Sequence, residues 1–451
     1  MAEPTAGMAS GGMTALRGPV LTFTGDPFTE SLADVLDFES DGVVVMAGGK
    51  IADCGPARRV LPALPLGTPV TRYEDCVLTA GFLDCHVHYP QTQIIAAHGE
   101  HLLDWLNRYA FVAEQQFADP QHARAVARVF LRECLRNGIT TCCVYCTVHP
   151  QSVDAFFEEA EALGMRVIAG KVIMDRNAPA RLLDTAQKAY EQSKALLQKW
   201  HGRGRLLYAV TPRFAPTSTP GQLEAARALR REHPDAFLQT HVSENQGEVA
   251  WVRELFPERS GYLDVYDHYG LVGPRTVLGH GVHLEEAELQ RIHDAGAALA
   301  HCPTSNEFLG SGLFDLGVAK REARPVRVGC ATDLGAGTTF SILGTLGRAY
   351  ETAQLRDFTL TAFQAYYLAT RGSAEALYLE DRIGSLAPGM EADVIVIDLK
   401  STPLIRFRMQ YARDLEEALF IQMMMGDDRA IRATYVGGKL VYRRPELPAE
   451  A

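Results

Sequence analysis

Residues 77–88 read Val77-Leu78-Thr79-Ala80-Gly81-Phe82-Leu83-Asp84-Cys85-His86-Val87-His88, an apolar run that ends in two histidines separated by one residue. The length and composition of the run are typical of a buried strand. Because alternate side chains of a strand share a face, His86 and His88 project from the same face. Two neutral imidazoles placed in this way can bind one metal ion, although such a pair also occurs on exposed edge strands.

Seven further runs of strand length follow along the chain, and segments with helical spacing of apolar residues, such as 120–131 and 184–200, separate them. Together with the first run they comprise residues 78–88, 138–146, 165–175, 206–214, 236–244, 276–284, 297–306 and 326–334. Alternating strands and helices are typical of the α/β class. Eight such units predict a (β/α)8 barrel of the TIM type.

Three of these runs end in further side chains that commonly bind metals, namely His241, His280 and Asp333. In (β/α)8 barrels the chemistry lies at the C-terminal ends of the strands, which is where these residues fall. A chance scatter of histidine and aspartate would not follow the strand ends. We therefore expect the three side chains to share one metal site with His86 and His88.

The charge and hydropathy of the chain exclude several classes of partner. The 451 residues carry a net charge of -11, and the basic residues are dispersed, which disfavours nucleic acid as a partner. No apolar run approaches the about 20 residues that span a bilayer, so no membrane contact is predicted. Residues 1–17 lack the charged and apolar regions of a signal peptide and are predicted to be a disordered tail.

Nine cysteines without regular spacing favour reduced thiols in the cytoplasm over a disulfide framework. One cluster, Cys142-Cys143-Val144-Tyr145-Cys146, contains a C-x-x-C, and His98-Gly99-Glu100 supplies an H-x-E. The combination also occurs in the zinc deaminases of the cytidine-deaminase fold. No proline precedes Cys143, however, and the surrounding run is β-branched, so we prefer the interpretation of buried packing residues.

Both ends of the chain carry short strand patterns that are too small to form a core alone. Residues 18–77 contain an apolar strand at 42–46, and residues 384–446 contain a second at 392–398 and a hairpin pattern at 433–442. Together the two segments predict a small β-sandwich packed against a catalytic barrel that spans residues 78–383.

Further motifs lie close to the strand ends. They are Pro90-Gln91, Leu102-Leu103-Asp104-Trp105-Leu106, Thr211-Pro212-Arg213-Phe214-Ala215-Pro216, Thr240-His241-Val242-Ser243-Glu244-Asn245, Ala300-His301-Cys302-Pro303-Thr304-Ser305-Asn306 and Gly426-Asp427-Asp428-Arg429. With the histidines and aspartate on strands one, five, six and eight, they make residues 20–446 resemble the guanine deaminases of the amidohydrolase superfamily, in its triazine-hydrolase branch. Two positions depart from that pattern, since Val112 and Ala430 stand where proline and asparagine are expected.

The resemblance implies that His86, His88, His241 and Asp333 bind one Zn²⁺ per subunit, with Fe²⁺ as the alternative metal. Asp333 would also take the proton of the attacking water, and His280 would orient that water. A binuclear site typically needs a carboxylated lysine on the fourth strand. Residues 206–214 contain no lysine, and Lys171 lies on the third strand, so one metal is predicted.

Glu244 follows the fifth-strand histidine by three residues and is predicted to lie at the mouth of the barrel. A carboxyl group there could protonate N3 of guanine while water adds to C2, and then pass a proton to the departing amine. The products would be xanthine and ammonia. The alternative interpretation of Glu244 is a solvated loop residue.

The resemblance assigns recognition of guanine, a small-molecule partner, to Gln91, Arg213 and Phe214, alongside His241, Glu244 and Asp333. Gln91 offers a donor and an acceptor, and Arg213 offers a rigid fork for a carbonyl, although an arginine here could also form a salt bridge at the rim. Trp105 either closes the pocket or belongs to a helix core. A homodimer is implied by the resemblance alone.

Two other functions stay open at this point. The first is deamination or hydrolysis of a different purine or a triazine-like ring by an enzyme of the same superfamily. The second is a barrel scaffold that has lost catalysis, but such scaffolds usually lack metal ligands, and here the set is complete.

Overall fold

The N-terminal segment forms five strands in the computed structural model, which describes residues 12–99 and 101–445. They are β1 (Thr14–Phe23), β2 (Leu36–Ala47), β3 (Lys50–Pro56), β4 (Val70–Arg72) and β5 (Cys76–Ala80). Ala15 and Leu16 are buried in β1, which pairs with β2. The prediction of a disordered tail up to residue 17 is therefore wrong from Thr14 onward, while residues 1–11 lie outside the described residues.

The barrel consists of eight parallel strands in consecutive order around the ring. They are β6 (Phe82–His88), β7 (Ile139–Tyr145), β8 (Arg166–Gly170), β10 (Leu206–Pro212), β11 (Phe237–Val242), β12 (Thr276–His280), β13 (Ala298–His301) and β14 (Arg327–Cys330), with the short β9 (Val172–Ile173) beside β10. The Asp333 backbone N–H donates to the His86 carbonyl at 3.0 Å and joins the last strand to the first. The predicted barrel is confirmed, and each predicted run contains one of the eight barrel strands.

The first predicted run is divided between two sheets at Gly81. The strand before it, β5, belongs to the sheet of the chain ends, so the barrel begins at Phe82 rather than at residue 78. Gly81 N–H donates to the Asp393 carbonyl at 3.0 Å, and a Cβ at this position would lie 2.1 Å from Thr140 Oγ1. The backbone thus crosses close against β7, and the unbroken apolar run conceals the crossing in the sequence.

Three strands from the C-terminal segment complete the terminal sheet, namely β15 (Val394–Asp398), β16 (Ile431–Val436) and β17 (Lys439–Arg443). The strand order is β17-β16-β15-β5-β1-β2-β3, with β4 beside β1. The sheet encloses a core of its own, which includes Leu16, Val44, Leu78, Val394 and Tyr435. This is the predicted small β-sandwich, and both chain ends contribute to it.

Helices cover the outside of the barrel. The longer ones are Pro120–Arg136, Pro150–Leu163, Ala186–Trp200, Pro220–Glu232, Gln246–Leu255, Tyr262–His268, Glu286–Ala295, Ile342–Leu355, Ala362–Ala369, Pro403–Met409 and Leu415–Met425. Short α-helices span Leu32–Val35, Ala57–Val60, Leu102–Trp105, Phe111–Glu114, Pro303–Phe308, Leu316–Ala319 and Arg371–Ala376. Within residues 12–99 and 101–445, none of the helices has the length and apolarity needed to cross a membrane.

The helix Pro120–Arg136 shows how these elements pack. Its buried residues recur at intervals of three or four, including Ala123, Ala127, Phe130 and Cys134, and so form one apolar face against the barrel. Asp119 begins the helix by accepting a hydrogen bond from the Gln121 N–H at 2.9 Å.

The C-terminal segment contributes to the barrel as well as to the sandwich. Its helix Leu415–Met425 packs against Ile342–Leu355 of the barrel, and Leu419 and Met423 join the core of the barrel. The segment therefore fastens the sandwich to the side of the barrel as well as completing the terminal sheet.

The cysteine cluster of β7 is divided between the two faces of the strand. Cys142 packs toward the helices, whereas Cys143 lies inside the barrel and donates to Gln239 Oε1 at 3.2 Å. Cys146, the second thiol of the C-x-x-C, packs toward the helices like Cys142, so Cys143 and Cys146 lie on opposite sides of the strand and do not form a shared metal site. All nine cysteines are unpaired. Glu100, which belonged to the alternative zinc motif, lies outside the described residues. The structure thus supports the packing interpretation.

Candidate active site

Four histidines and one aspartate from four barrel strands meet at the C-terminal mouth of the barrel. His86 and His88 stand at the end of β6, His241 is the penultimate residue of β11, and His280 ends β12. Asp333 follows β14. All five side chains are buried. The structure therefore brings together every residue that the sequence predicted to bind the metal or orient water.

The distances among these side chains fit a single metal ion. His88 Nε2 lies 3.1 Å from His241 Nε2, and Asp333 Oδ1 lies 3.4 and 3.6 Å from Nε2 of His86 and His88. Ligand atoms placed tetrahedrally at about 2.0–2.1 Å from zinc are roughly 3.3 Å apart. Both ring nitrogens of His86 are buried without a hydrogen-bond partner, and an ion coordinated by Nε2 would satisfy one of them.

The ring of His241 is oriented by the backbone. Its Nδ1 lies 2.6 Å from the carbonyl oxygen of Arg213, which can only accept, so Nδ1 carries the proton and Nε2 keeps its lone pair. Burial lowers the pKa of His86, His88 and His241 below the ordinary value of histidine. The three rings are therefore neutral near pH 7, which is the form that binds metals.

Asp333 is held in its ionised form. Burial acts to raise the pKa of this carboxyl group, but His86 and His280 opposite it outweigh burial and keep the pKa below its ordinary value. Its Oδ2 lies 3.8 Å from His280 Nε2. Asp333 and His280 are therefore close enough to contact the same small group.

Glu244 lies beside His280 and is 3% exposed. Its Oε2 lies 3.4 Å from His280 Nε2, and its Oε1 accepts a hydrogen bond from the Ser311 hydroxyl at 3.2 Å. Burial raises the pKa of Glu244 to about 7, although the positive potential of His280 opposes the shift. A carboxyl group with a pKa near neutrality can both donate and accept a proton. His280 is itself held by Asn306 Oδ1, 2.9 Å from its Nδ1.

Three residues at the mouth have left-handed backbone conformations. Ser243, His280 and Asp333 have φ angles of 47°, 69° and 46°. Such conformations cost about 1–3 kcal/mol for residues other than glycine and cluster at active sites. Each lies at the C-terminal end of a barrel strand, where the chain turns.

The side chains predicted to bind the substrate line a cavity next to these residues. Gln91, Arg213, Phe214 and Trp105 form part of its wall together with Leu102, Leu106 and Ala336. Trp105 is 1% exposed, and its indole N–H donates to the Ala97 carbonyl at 3.2 Å. It thus lines the cavity and also packs in the helical segment, which continues as the π-helix Leu106–Ala110.

Glu114 is the principal residue that the sequence analysis missed. It is buried, and its Oε2 accepts from Arg213 Nη1 at 2.6 Å while its Oε1 accepts from Gln91 Nε2 at 3.3 Å. Phe111, one helical turn earlier, lies 5.2 Å from the guanidinium of Arg213. No motif marks Glu114, because an acidic residue in a short helix has no signal until the fold places it. The predicted Arg213 fork is therefore ion-paired.

Several other residues near the strand ends make contacts that do not involve the cavity. Lys171, considered for a bridging role, is buried in an ion pair with Asp184. His283 Nε2 lies 2.7 Å from the Ser311 carbonyl, and His301 stacks on Phe314 with ring centres 4.6 Å apart. Val112, where proline was expected, is exposed.

Comparison with known proteins agrees with this arrangement. The model of the Amidohydrolase family matches residues 77–441. Guanine deaminase of Escherichia coli (strain K12) is 48% identical over 415 residues, which cover 92% of this chain and 94% of that protein. Guanine deaminase of Mus musculus is 34% identical and covers 80% of this chain and 82% of its own length.

Solved structures agree as well. The structure of E. coli guanine deaminase superposes with a TM-score of 0.93 at 47% identity and covers 96% of this chain and 100% of that one. Guanine deaminase from C. acetobutylicum, solved with bound guanine in the active site, gives 0.84 at 26% identity, with 95% and 100% covered. The chain therefore belongs to the amidohydrolase family, in the branch that contains the guanine deaminases.

Proposed function

We propose that this protein is a guanine deaminase, which hydrolyses guanine to xanthine and ammonia with one Zn²⁺ per subunit. The observation that carries the proposal is that Glu244 and His280 lie beside Asp333 and the histidine cluster and line the same cavity as Arg213 and Gln91. The 48% identity to the E. coli guanine deaminase over 92% of this chain supports the same reaction.

His86, His88, His241 and Asp333 are the residues that would hold the ion. Three neutral imidazoles and one carboxylate suit Zn²⁺ and would also accept Fe²⁺. When bound, such an ion supplies a Lewis acid that lowers the pKa of a water molecule to about 7. We propose one ion rather than two, because β10 contains no lysine that could bridge a pair.

The remaining steps are proton transfers by the side chains of the mouth. Asp333 takes a proton from the attacking water, and His280, held in place by Asn306, orients this water toward C2 of the purine. Glu244 donates a proton to N3 as the water oxygen bonds to C2. Glu244 then takes the proton of the C2 hydroxyl group and passes it to the amine as the C2–N2 bond of the tetrahedral intermediate breaks, so the amine leaves as ammonia. The proton held by Asp333 returns to Glu244, and both groups are ready for the next turnover. Guanine and water are thereby converted to xanthine and ammonia without another reactant.

The cavity wall orients the ring during these steps. Arg213 would donate to O6, Gln91 would contact the neighbouring edge, and Phe214 would contact the ring. Trp105, which is buried over the cavity, would exclude bulk water from the reacting atoms.

An ammonia-release assay on guanine, combined with metal analysis of the purified protein, tests this proposal. We expect xanthine and ammonia in equal amounts, about one zinc per chain, loss of activity on chelation and recovery on adding Zn²⁺. A panel with adenosine, 2-aminopurine and a triazine serves as the comparison. Turnover of another ring without turnover of guanine would contradict the substrate assignment, and full activity in a metal-free preparation would contradict the role of the metal.

We also propose that the enzyme acts in guanine catabolism as a cytoplasmic homodimer, with the barrel and the composite sandwich as its two structural domains. The nine unpaired cysteines are consistent with a reducing compartment. Sedimentation equilibrium should give twice the chain mass of 49.5 kDa. A single species at the chain mass would contradict the dimer.

A further inference from the structure

Glu114 joins the two polar side chains that line the substrate cavity. One carboxylate oxygen accepts from Arg213 Nη1 and the other from Gln91 Nε2. The carboxylate is 1% exposed, so it depends on these donors for its stabilisation. Because both side chains contact the same small group, their remaining polar atoms are neighbours in the cavity wall.

The contact with Glu114 fixes which end of the Gln91 amide faces the cavity. A carboxylate can only accept, so the NH₂ group of Gln91 must turn toward it and the carbonyl must turn away. Gln91 Oε1 is buried and has no hydrogen-bond partner in the protein. It lies against Gly335, where a Cβ would approach it to 2.3 Å. The free acceptor is thus held in a confined position against Gly335.

We propose that Glu114 is a positioning residue that sets the hydrogen-bond polarity of the substrate cavity, so that Gln91 presents an acceptor beside the donors of Arg213. This inference rests on the proposed function. An acceptor next to a donor matches the lactam edge of guanine, where O6 accepts and the adjacent N1–H donates. It mismatches 2-aminopurine, whose N1 carries a lone pair and which has no oxygen at C6.

The substitution Glu114→Gln tests the inference with little change in shape. The new amide has one acceptor, which the charged Arg213 would take, so its NH₂ group would face Gln91 and favour a flip of that amide. Gln91 would then present a donor to the cavity, opposite N1–H of guanine but compatible with N1 of 2-aminopurine. We expect KM for guanine to rise about tenfold or more, because a buried polar group is left mispaired. We expect kcat on guanine to stay within about threefold.

The ratio of kcat/KM for guanine to that for 2-aminopurine is the decisive readout. It should fall about tenfold or more in Glu114→Gln and stay unchanged in Glu322→Gln, an exposed control. In a Gln91→Leu background, Glu114→Gln should change the ratio by less than about twofold, because the amide through which it acts is absent. Equal losses on both purines, or an undiminished effect in that background, would overturn the inference.

Two further measurements keep the outcome unambiguous. Thermal unfolding shows whether Glu114→Gln folds. If it does not fold, Gln91→Leu alone should lower kcat/KM for guanine more than kcat/KM for 2-aminopurine, and an equal decrease for both would overturn the inference. The wild-type enzyme is assayed first. If the wild type deaminates guanine but Glu114→Gln leaves the ratio unchanged, only the role of Glu114 is contradicted. If the wild type releases no ammonia from guanine, the proposed function is contradicted, and the inference that rests on it is contradicted as well.

Discussion

Buried charge at single residues gives the mouth of the barrel its chemistry. Glu244 and Asp333 are both buried carboxyls, yet burial raises the pKa of Glu244 to about 7, whereas the neighbouring His86 and His280 hold the pKa of Asp333 below its ordinary value. Two carboxyl groups with separated pKa values can serve as proton donor and proton acceptor in one site. The assignment of roles therefore follows from the surroundings of each residue rather than from its type.

Glu244→Gln should separate binding from catalysis. The amide keeps the shape of the side chain and can still contact Ser311, but it cannot deliver a proton to N3. We expect guanine to bind with a similar Kd and kcat to fall by about 10²–10⁴. Equilibrium binding and steady-state kinetics, with the exposed Glu322→Gln as a control, measure the two effects. An unchanged kcat would remove Glu244 from the mechanism.

Arg213→Ala should affect both recognition and stability. Removing the guanidinium takes away the donor for O6, so kcat/KM for guanine should fall more than kcat/KM for 2-aminopurine. It also leaves Glu114 buried without its partner, and we expect the free energy of unfolding to fall by about 3–5 kcal/mol. The double variant Arg213→Ala/Glu114→Ala should recover part of the stability without recovering the preference for guanine. Equal losses for the two purines would argue against contact with O6.

At the scale of elements, small residues on the barrel strands make room for the ligands of their neighbours. Gly279 on β12 faces the ring of His86, and a Cβ there would lie 2.5 Å from His86 Cε1. Gly170 on β8 similarly lies close to the backbone of β10, where a Cβ would approach the Ala209 carbonyl oxygen to 1.8 Å. The missing side chain of Gly279 thus leaves room for the His86 ring, and that of Gly170 allows β8 and β10 to lie close together.

Gly279→Ala should weaken metal binding while the barrel still folds. The added methyl group would displace the His86 ring, and we expect metal affinity to fall by about 10–100-fold, as it does when the support of a ligand is lost. Gly221→Ala is the matched control, since its Cβ would meet no atom closer than 3.7 Å. Zinc titration with a competing chelator measures both variants. Wild-type affinity in Gly279→Ala would show that His86 is not held by this contact.

At the scale of the whole molecule, an ion-pair network joins the barrel to the terminal sheet. Glu391 Oε2 accepts from Arg166 Nε and from Arg205 Nε, each at 2.8 Å, and Arg205 also pairs with Asp393. Arg166 belongs to β8, and Glu391 and Asp393 lie just before β15. Since Arg166 is 1% exposed, the network neutralises charge that is buried where the barrel meets the terminal sheet.

Glu391→Ala should destabilise the protein without altering catalysis. Arg166 would remain buried without its partner, so we expect the free energy of unfolding to fall by about 3–5 kcal/mol. KM and kcat for guanine should stay near wild type, because the network lies outside the substrate cavity. Glu74→Ala, whose side chain is 74% exposed beside Arg72, should cost no more than about 1 kcal/mol. Denaturant unfolding measures the loss of stability in each variant. Equal losses in Glu391→Ala and Glu74→Ala would contradict the role of the network.

Local pattern was enough to predict the barrel, its eight strands and the convergence of His86, His88, His241, His280 and Asp333. Strand periodicity is a property of neighbouring residues, and the C-terminal ends of parallel strands must meet on one side of a barrel. The sandwich could be predicted for a similar reason, because neither chain end could bury its apolar strands alone.

Tertiary structure alone decided the break at Gly81, the start of β1 at Thr14 and the contact of Glu114 with Gln91 and Arg213. Each depends on atoms that are distant in the chain, such as Thr140 beside Gly81 or Arg213 beside Glu114. The backbone of Ser243, His280 and Asp333 turns left-handed for the same reason, since only packing around the mouth can sustain conformations that the residues themselves disfavour. Sequence thus determined which side chains could do the chemistry, and long-range packing determined how their charges and hydrogen bonds are arranged.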